Sequence, residues 1–218
     1  MARSRPKMTE SLWLRSAQHM RLWQYLGKRL TRRKRLLFGC GCARQTWHLL
    51  KKEANRRAVE TSERYADGLA TRKEMVQAWR ALDWEPAAYC EWPITTVSGS
   101  VGYRAPGEDE VRDKGLERFP GQRNERARER DWCAVLRDLF GNPFRPVRLD
   151  PAWLAWDGGT VPRLAQAIYD GHRFADMPFL GDALEEAGCA DEQVLAHCHS
   201  QGPHCRGCWV VDLLLGHS

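Results

Sequence analysis

Apolar residues recur at intervals of three and four along most of the chain, and this spacing predicts α-helices. In the clearest case, steps of 4, 3, 4 and 3 place five residues on one helix face: Leu36, Cys40, Ala43, Trp47 and Leu50. A second stripe follows a polar stretch at 122–131, and Gly141 ends it; it contains Trp132, Val135, Leu136, Leu139 and Phe140. The pattern therefore predicts an all-α protein.

Capping residues indicate where several of these helices begin. Thr71, with Glu74 three residues later, has the spacing of a capping box, in which each side chain bonds the other residue's backbone amide. Asp150 before Pro151 is an N-cap followed by proline in the first turn. Asp191 predicts a further helix start close to the C-terminus.

The helical pattern fails in the middle of the chain. Four prolines interrupt residues 84–121, and the segment 94–103 predicts a short hairpin. We therefore predict a helical bundle in two halves with three parts: a basic N-terminal half at 1–92, an irregular loop or insertion at 93–121, and an acidic C-terminal half at 122–218.

Composition is typical of a folded protein outside the membrane. The chain has 218 residues, of which 43% are hydrophobic and 28% charged, and no stretch approaches 18 consecutive apolar residues. The basic N-terminus is not followed by the apolar run of a secretory signal. We expect a cytoplasmic protein whose eight cysteines are reduced thiols or metal ligands.

Charge is distributed unevenly along the chain. Residues 1–60 contain 16 Lys and Arg against 3 Asp and Glu, whereas residues 150–218 contain 3 against 10. Basic side chains at this density predict binding to nucleic-acid phosphates, to an acidic protein partner, or to the acidic third of the same chain. The candidate residues are Lys28, Arg29, Arg32, Arg33, Lys34, Arg35, Lys51, Lys52, Arg56 and Arg57.

Several segments resemble an uncharacterised bacterial protein family that is recognisable by its sequence pattern. They are LLFGCGC at 36–42, WHLL at 47–50, FGNPFRPV at 140–147, LDPAWL at 149–154, GPH at 202–204 and CWVVD at 208–212. With shorter matches between them, the resemblance extends over about two thirds of the chain. It implies that these N-terminal and C-terminal segments belong together, and it implies no activity.

Cysteine and histidine are concentrated near the C-terminus, where four of the eight cysteines and four of the seven histidines lie within 189–218. The best-spaced set of candidate zinc ligands is Cys189, Cys198, His204 and Cys208. This spacing equals that of zinc fingers that bind single-stranded RNA, although the last two ligand types are exchanged. The alternative set replaces Cys189 with Cys205, a position that is apolar in the resembling family.

Two further interpretations of these cysteines stay open. Buried free cysteines often pack as small apolar side chains, and the CxxC spacing of Cys205 and Cys208 also occurs in redox proteins. Zinc is thus the candidate cofactor, and its binding is one of three alternatives.

No phosphate-binding glycine loop, HExxH motif, nucleophile elbow or dinucleotide fingerprint occurs in the sequence, which leans against an enzyme without deciding the matter. Ten tryptophans exceed the needs of the core, and we expect Trp13, Trp47, Trp79 and Trp132 to face inward.

The predicted function is a non-catalytic helical binding or adaptor module with a protein partner. The alternative is a nucleic-acid-binding protein that uses the basic segment 28–57.

Overall fold

Every regular element in the described part of the chain is helical. The computed structural model describes residues 7–82 and 125–217, and within them there are eleven α-helices and no strand, which confirms the predicted all-α class. In chain order the helices are α1 (Glu10–Arg15), α2 (His19–Leu26), α3 (Arg32–Gln45), α4 (Glu53–Ala66), α5 (Arg72–Arg80), α6 (Glu125–Phe140), α7 (Pro151–Ala155), α8 (Thr160–Gly171), α9 (Met177–Glu186), α10 (Glu192–Cys198) and α11 (Trp209–Leu215).

Two of the sequence predictions fall on residues that the structure does not describe. The predicted hairpin at 94–103 and the predicted loop or insertion at 93–121 both lie outside the described residues. Among the described helices, none is long and apolar enough to cross a membrane.

The predicted helix starts are confirmed by their hydrogen bonds. Thr71 accepts a bond from the Glu74 amide at 3.2 Å, and the Glu74 carboxylate accepts one from the Thr71 amide at 2.7 Å, which completes the capping box of α5. Asp150 caps α7 and Asp191 caps α10 through their side-chain oxygens. Local sequence therefore sets these three helix starts.

Helix α3 is shorter than its apolar stripe suggests. It ends at Gln45, because both the amide and the hydroxyl of Thr46 bond the Ala43 carbonyl, at 3.1 and 3.2 Å, and close the last turn early. A short 3₁₀ turn, Trp47–Leu49, follows. Leu50 still packs with Cys40 and Ala43 of the stripe and is 3% exposed. It is therefore buried as predicted, although it lies beyond the end of the helix.

The helices enclose two main hydrophobic cores. One is built by α1, α2, α3 and α6, and the other by α7 to α11. Helix α6 begins the predicted C-terminal half, yet its buried apolar residues belong to the N-terminal core: Cys133, Val135, Leu136 and Leu139. The two halves are therefore joined along α6.

Tryptophans contribute to both cores. Trp13 and Trp79 are buried, as expected, at 0% and 4% exposure, whereas Trp47 and Trp132 are only half-buried. Trp153 is also buried, and it packs in the C-terminal core.

The loop that precedes α11 lies very close to α3. A Cβ atom added to Gly41 would lie 2.8 Å from the Cys205 sulfur, and one added to Gly207 would lie 2.7 Å from a methyl group of Leu37. Gly207 also has a φ of +90°, which side-chain-bearing residues rarely adopt. These two glycines allow residues 204–208 to rest directly on the helix.

Buried charges join α3 to α11 at the same place. The Asp212 carboxylate accepts hydrogen bonds from the Arg33 guanidinium at 2.6 and 3.0 Å and from Lys34 Nζ at 2.6 Å. Arg33 also donates to the Tyr169 hydroxyl at 2.6 Å and to Asp67 at 3.1 Å. The basic and acidic ends of the chain are thus in contact, as one of the three interpretations of the charge pattern predicts.

This contact predicts the effect of neutralising Asp212. In Asp212→Asn, two cations would stay buried without their shared carboxylate, so we expect the free energy of unfolding to fall by about 3–5 kcal/mol in urea denaturation. The control is Glu53→Gln, which removes an ion pair with Arg57. Both side chains of this pair are exposed, Glu53 at 82% and Arg57 at 68%. This control should change stability little. Equal stability of the two variants would contradict the importance of the buried contact.

Candidate metal centre

Four potential metal ligands from four places in the chain meet beside α11. Asp138 lies near the end of α6, His197 near the end of α10, His204 in the connection between α10 and α11, and Cys208 at the N-cap of α11. One ligand atom of each residue lies within 4.8 Å of the ligand atoms of the other three. The four residues are called the Asp138 cluster below.

The distances between these atoms are close to those around a tetrahedral zinc ion. His204 Nδ1 lies 2.9 Å from Asp138 Oδ1, and His197 Nε2 lies 3.2 Å from both Asp138 Oδ1 and the Cys208 sulfur. Bonds of 2.0–2.3 Å to zinc imply ligand–ligand separations of about 3.3–3.8 Å. For these three pairs, an outward shift of a few tenths of an ångström at each atom would give the separations found between zinc ligands, and all four ligand atoms lie within 4.8 Å of one another.

Asp138 is oriented by bonds to its other carboxylate oxygen. Oδ2 accepts a hydrogen bond from the Cys205 amide at 3.0 Å and one from the Cys205 thiol at 3.3 Å. Oδ1 is left facing the two histidines, so Asp138 could bind a metal through one oxygen. Such outer contacts are typical of metal-binding carboxylates.

His204 has a similar outer partner. Its Nδ1 faces Asp138, while its Nε2 lies 3.3 Å from the backbone carbonyl of Ser200. A proton on Nε2, donated to that carbonyl, leaves Nδ1 as the free nitrogen that a metal requires. The ring of His197 contacts the ring of His204, with 4.8 Å between their centroids.

Burial and mutual contacts shift the pKa values of this cluster. Burial alone would raise the pKa of Asp138, but hydrogen bonds from His197 and His204 outweigh it and lower that pKa. Burial alone would lower the pKa of His204, but its hydrogen bond with Asp138 and the charge of that carboxylate raise it. The pair therefore favours a carboxylate beside a protonated imidazole when no metal is present.

Cys208 behaves differently. Burial, followed by the charge of Asp138, raises the pKa of its thiol well above the usual range, while the backbone amides of Val211 and Val210 act in the opposite direction. The metal-free thiol is therefore neutral. A cation bound next to it would favour the thiolate, and the two amides would then support the sulfur.

The arrangement is that of a closed site. Asp138, His204 and His197 have side chains that are 2%, 6% and 16% exposed, and Cys208 is 0% exposed. If all four residues bound one ion, their oxygen, nitrogen and sulfur ligands would fill a tetrahedral shell and leave no position for a substrate, as in structural zinc sites. Calcium and magnesium, which prefer six or more oxygen ligands, do not match this set.

Two of the four predicted ligands belong to the cluster, and two do not. His204 and Cys208 are members, whereas Cys189 and Cys198 pack in the C-terminal hydrophobic core, at 3% and 0% exposure. Burial raises the pKa of Cys198 to about 12, so this thiol stays neutral there. Cys205 of the alternative set contacts Asp138 without being a cluster member.

Sequence reasoning missed Asp138 and His197. His197 was detectable, because it adjoins Cys198 in the same His- and Cys-rich segment. Asp138 precedes His204 by 66 residues, and its one local signal is its position among apolar neighbours, Val135, Leu136 and Leu139. The charged residue is buried because α6 is covered by α11 as well as by α3.

All seven cysteines in the described part of the chain are buried, and no disulfide joins any two of them: Cys40, Cys42, Cys133, Cys189, Cys198, Cys205 and Cys208. This agrees with the predicted reduced thiols. Cys40, for example, lies on the core-facing side of α3, packed with Ala43 and Val59.

The ten predicted basic residues are divided into three groups. Arg33 and Lys34 are largely buried against Asp212, so their charges are not available to a partner. A second group, the α3-start patch, is exposed around the beginning of α3: Lys28, Arg29, Arg32 and Arg35. The third group lies near the beginning of α4: Lys51, Lys52, Arg56 and Arg57.

These two accessible groups do not form one surface. Helices α3 and α4 are antiparallel, as shown by contacts of Arg33 with Asp67 and of Cys40 with the Val59 carbonyl. The start of α4 is therefore near the end of α3. Because α3 has 14 residues, its two ends are about 20 Å apart, and the two basic groups are separated by about that distance.

No protein-family model, no curated protein and no solved structure matches the chain. The resemblance to an uncharacterised bacterial family therefore stays a prediction.

The His204–Asp138 pair predicts a pH dependence of stability in the metal-free protein. Because the pKa of His204 is raised in the fold, its charged form stabilises the folded state below the ordinary histidine pKa of about 6.5. This contribution is lost as the pH rises through the raised pKa. Since His204→Asn cannot be protonated, its free energy of unfolding should change less between about pH 6 and pH 8 than that of the unsubstituted protein.

Urea denaturation after treatment with a chelator measures this difference. The control is His199→Asn, because the His199 side chain is 41% exposed and lies 3.7 Å from an exposed carboxylate of Asp182. This variant should keep the original pH dependence. The same pH dependence in His204→Asn and the unsubstituted protein would contradict the assignment.

Proposed function

We propose that the protein is a non-catalytic helical binding module in which a zinc ion, held by the Asp138 cluster, joins α6 to the C-terminal segment. The observation that carries this proposal is the convergence of four potential ligands in a buried site, with one ligand atom of each within 4.8 Å of the others: Asp138, His197, His204 and Cys208. The role of zinc would be structural, because four protein ligands leave no open position for chemistry.

The connection between α10 and α11 explains why a metal would be useful there. Residues 199–203 contain no large apolar side chain, so little hydrophobic burial holds this connection in place. Zinc binding to His204 and Cys208 would fix its far end against α6. The absence of a disulfide among the seven buried cysteines of the described residues also favours a reducing compartment such as the cytoplasm.

The metal content of the purified protein tests this proposal. Protein prepared without a histidine tag should contain about one zinc per chain, and Cys208→Ala should lose most of it and unfold at a lower temperature. The matched control is Cys189→Ala, which removes another buried thiol outside the cluster and should retain zinc.

Two outcomes would contradict the zinc centre. One is a metal content below about 0.2 zinc per chain after growth with added zinc, together with unchanged thermal stability of Cys208→Ala. The other is loss of zinc in Cys189→Ala as well as in Cys208→Ala, which would favour the set first suggested by spacing, because both cysteines are ligands in that set.

A second candidate function, nucleic-acid binding, is supported by the α3-start patch. In the described part of the chain its cations are held by aromatic rings and carbonyls instead of carboxylates. Arg29 lies over the ring of Tyr25, Arg32 lies over and donates to Tyr65, and Arg35 donates to the Leu30 carbonyl. Four exposed cations that are not neutralised favour contact with phosphates.

Filter binding to RNA and DNA tests this candidate. With about four phosphate contacts, affinity should fall by about 50–150-fold between about 50 and 200 mM salt. Neutralising two members of the patch, Arg29→Gln with Arg32→Gln, should reduce the logarithmic salt slope by about half. The control is Lys51→Gln with Arg57→Gln, at the other end of α3, which should leave the slope unchanged. Binding that does not depend on salt would contradict this function.

A further inference from the structure

We propose that Lys34 is a positioning residue for the zinc centre, acting from the N-terminal half of the chain through backbone carbonyls next to two of the ligands. This inference rests on the proposed zinc centre and extends it, since none of the four ligands lies in residues 7–82. It makes the metal affinity of the C-terminal segment depend on helix α3.

The ammonium group of Lys34 connects three separate segments. Nζ donates to the Leu139 carbonyl at 3.0 Å, to the Gly207 carbonyl at 2.9 Å and to Asp212 Oδ2 at 2.6 Å. The three donors of the ammonium are thus matched by three acceptors, and Lys34 is only 8% exposed. A single buried cation therefore fixes the end of α6, the loop before α11 and α11 itself.

The two carbonyls adjoin metal ligands in the sequence. Leu139 directly follows Asp138, and Gly207 directly precedes Cys208. The Gly207 carbonyl belongs to the same rigid peptide group as the Cys208 amide, so fixing its direction restricts where the Cys208 side chain begins. Lys34 thereby sets the separation between the carboxylate of Asp138 and the sulfur of Cys208.

The packing around Gly207 leaves little alternative to this arrangement. A Cβ atom at Gly207 would lie 2.7 Å from Leu37 and 2.9 Å from Leu139, so the loop already rests against both helices. Neutral donors could not hold two carbonyls and a carboxylate equally well, because an ammonium presents three donors on one atom together with a positive charge. Metal sites lose affinity when outer contacts of this kind are removed.

Arg33 provides a matched control. It neighbours Lys34 and pairs with the same carboxylate of Asp212, but its remaining bonds go to Asp67 and Tyr169. It donates to neither the Gly207 nor the Leu139 carbonyl. Replacing either cation removes one partner of Asp212, whereas only the Lys34 substitution releases the backbone beside the ligands.

Zinc affinity of the full chain tests the inference. In competition with a chelating dye, Lys34→Gln should bind Zn²⁺ about 10–100-fold more weakly than the unsubstituted protein. The Zn²⁺ affinity of Arg33→Gln should stay within about threefold of that of the unsubstituted protein. With Co²⁺ in place of zinc, the visible absorption of Lys34→Gln should shift or weaken because the ligand geometry changes, whereas that of Arg33→Gln should not.

The possible outcomes separate this inference from the proposed zinc centre. Equal weakening in both variants, or no weakening in Lys34→Gln, would overturn the role of Lys34 while leaving the centre in place. Absence of zinc and cobalt binding by the unsubstituted protein would overturn the centre itself, and the inference with it.

A measurement without substitution covers the case in which Lys34→Gln does not fold. Hydrogen exchange of the unsubstituted protein is compared with and without Zn²⁺. Zinc should slow exchange at the amides of Leu36–Phe38, near the start of α3, by about tenfold or more, because the ion and Lys34 hold the same loop. Exchange in α3 that is unaffected by zinc would overturn the coupling.

Discussion

The structure depends on the buried carboxylate of Asp212. Removing two cations and a carboxylate from water is costly, and the arrangement is stable only because each charge has partners with good geometry. Asp212 forms ion pairs with Arg33 and Lys34 of α3. Asp67 forms ion pairs with Arg33 and Arg206. Because these residues come from both halves of the chain, the contact determines how the N-terminal helices and the C-terminal helices meet.

Helix class and several helix ends could be predicted because they depend on local sequence. The capping box at Thr71 and the N-caps at Asp150 and Asp191 use residues within three positions of one another. The early end of α3 at Gln45 was missed, since an apolar stripe continues through the 3₁₀ turn that follows. The apolar stripe indicates which side chains of the segment are buried, whereas the hydrogen bonds of Thr46 determine where the helix ends.

The candidate site was only partly predictable, because it does not depend on local sequence alone. Spacing within 189–218 indicated His204 and Cys208, but it also suggested Cys189 and Cys198, which the fold directs into a hydrophobic core. Of the two remaining members of the cluster, His197 lies within the same segment, whereas Asp138 comes from a distant helix. Likewise, a run of basic residues looks uniform in sequence, whereas in the fold Arg33 and Lys34 lie inside while their neighbours Arg32 and Arg35 are exposed. Helical rotation, and not composition, separates them.

The distance along the chain between Lys34 and Asp212 has a consequence for synthesis. The two residues are 178 positions apart, so at about 5–20 residues per second the ribosome completes α3 about 10–35 s before the carboxylate exists. Until then, Arg33 and Lys34 must stay hydrated, and α3 cannot take its final place. During that interval, the apolar side chains of α3 that later pack against the loop before α11, such as Leu37, stay uncovered.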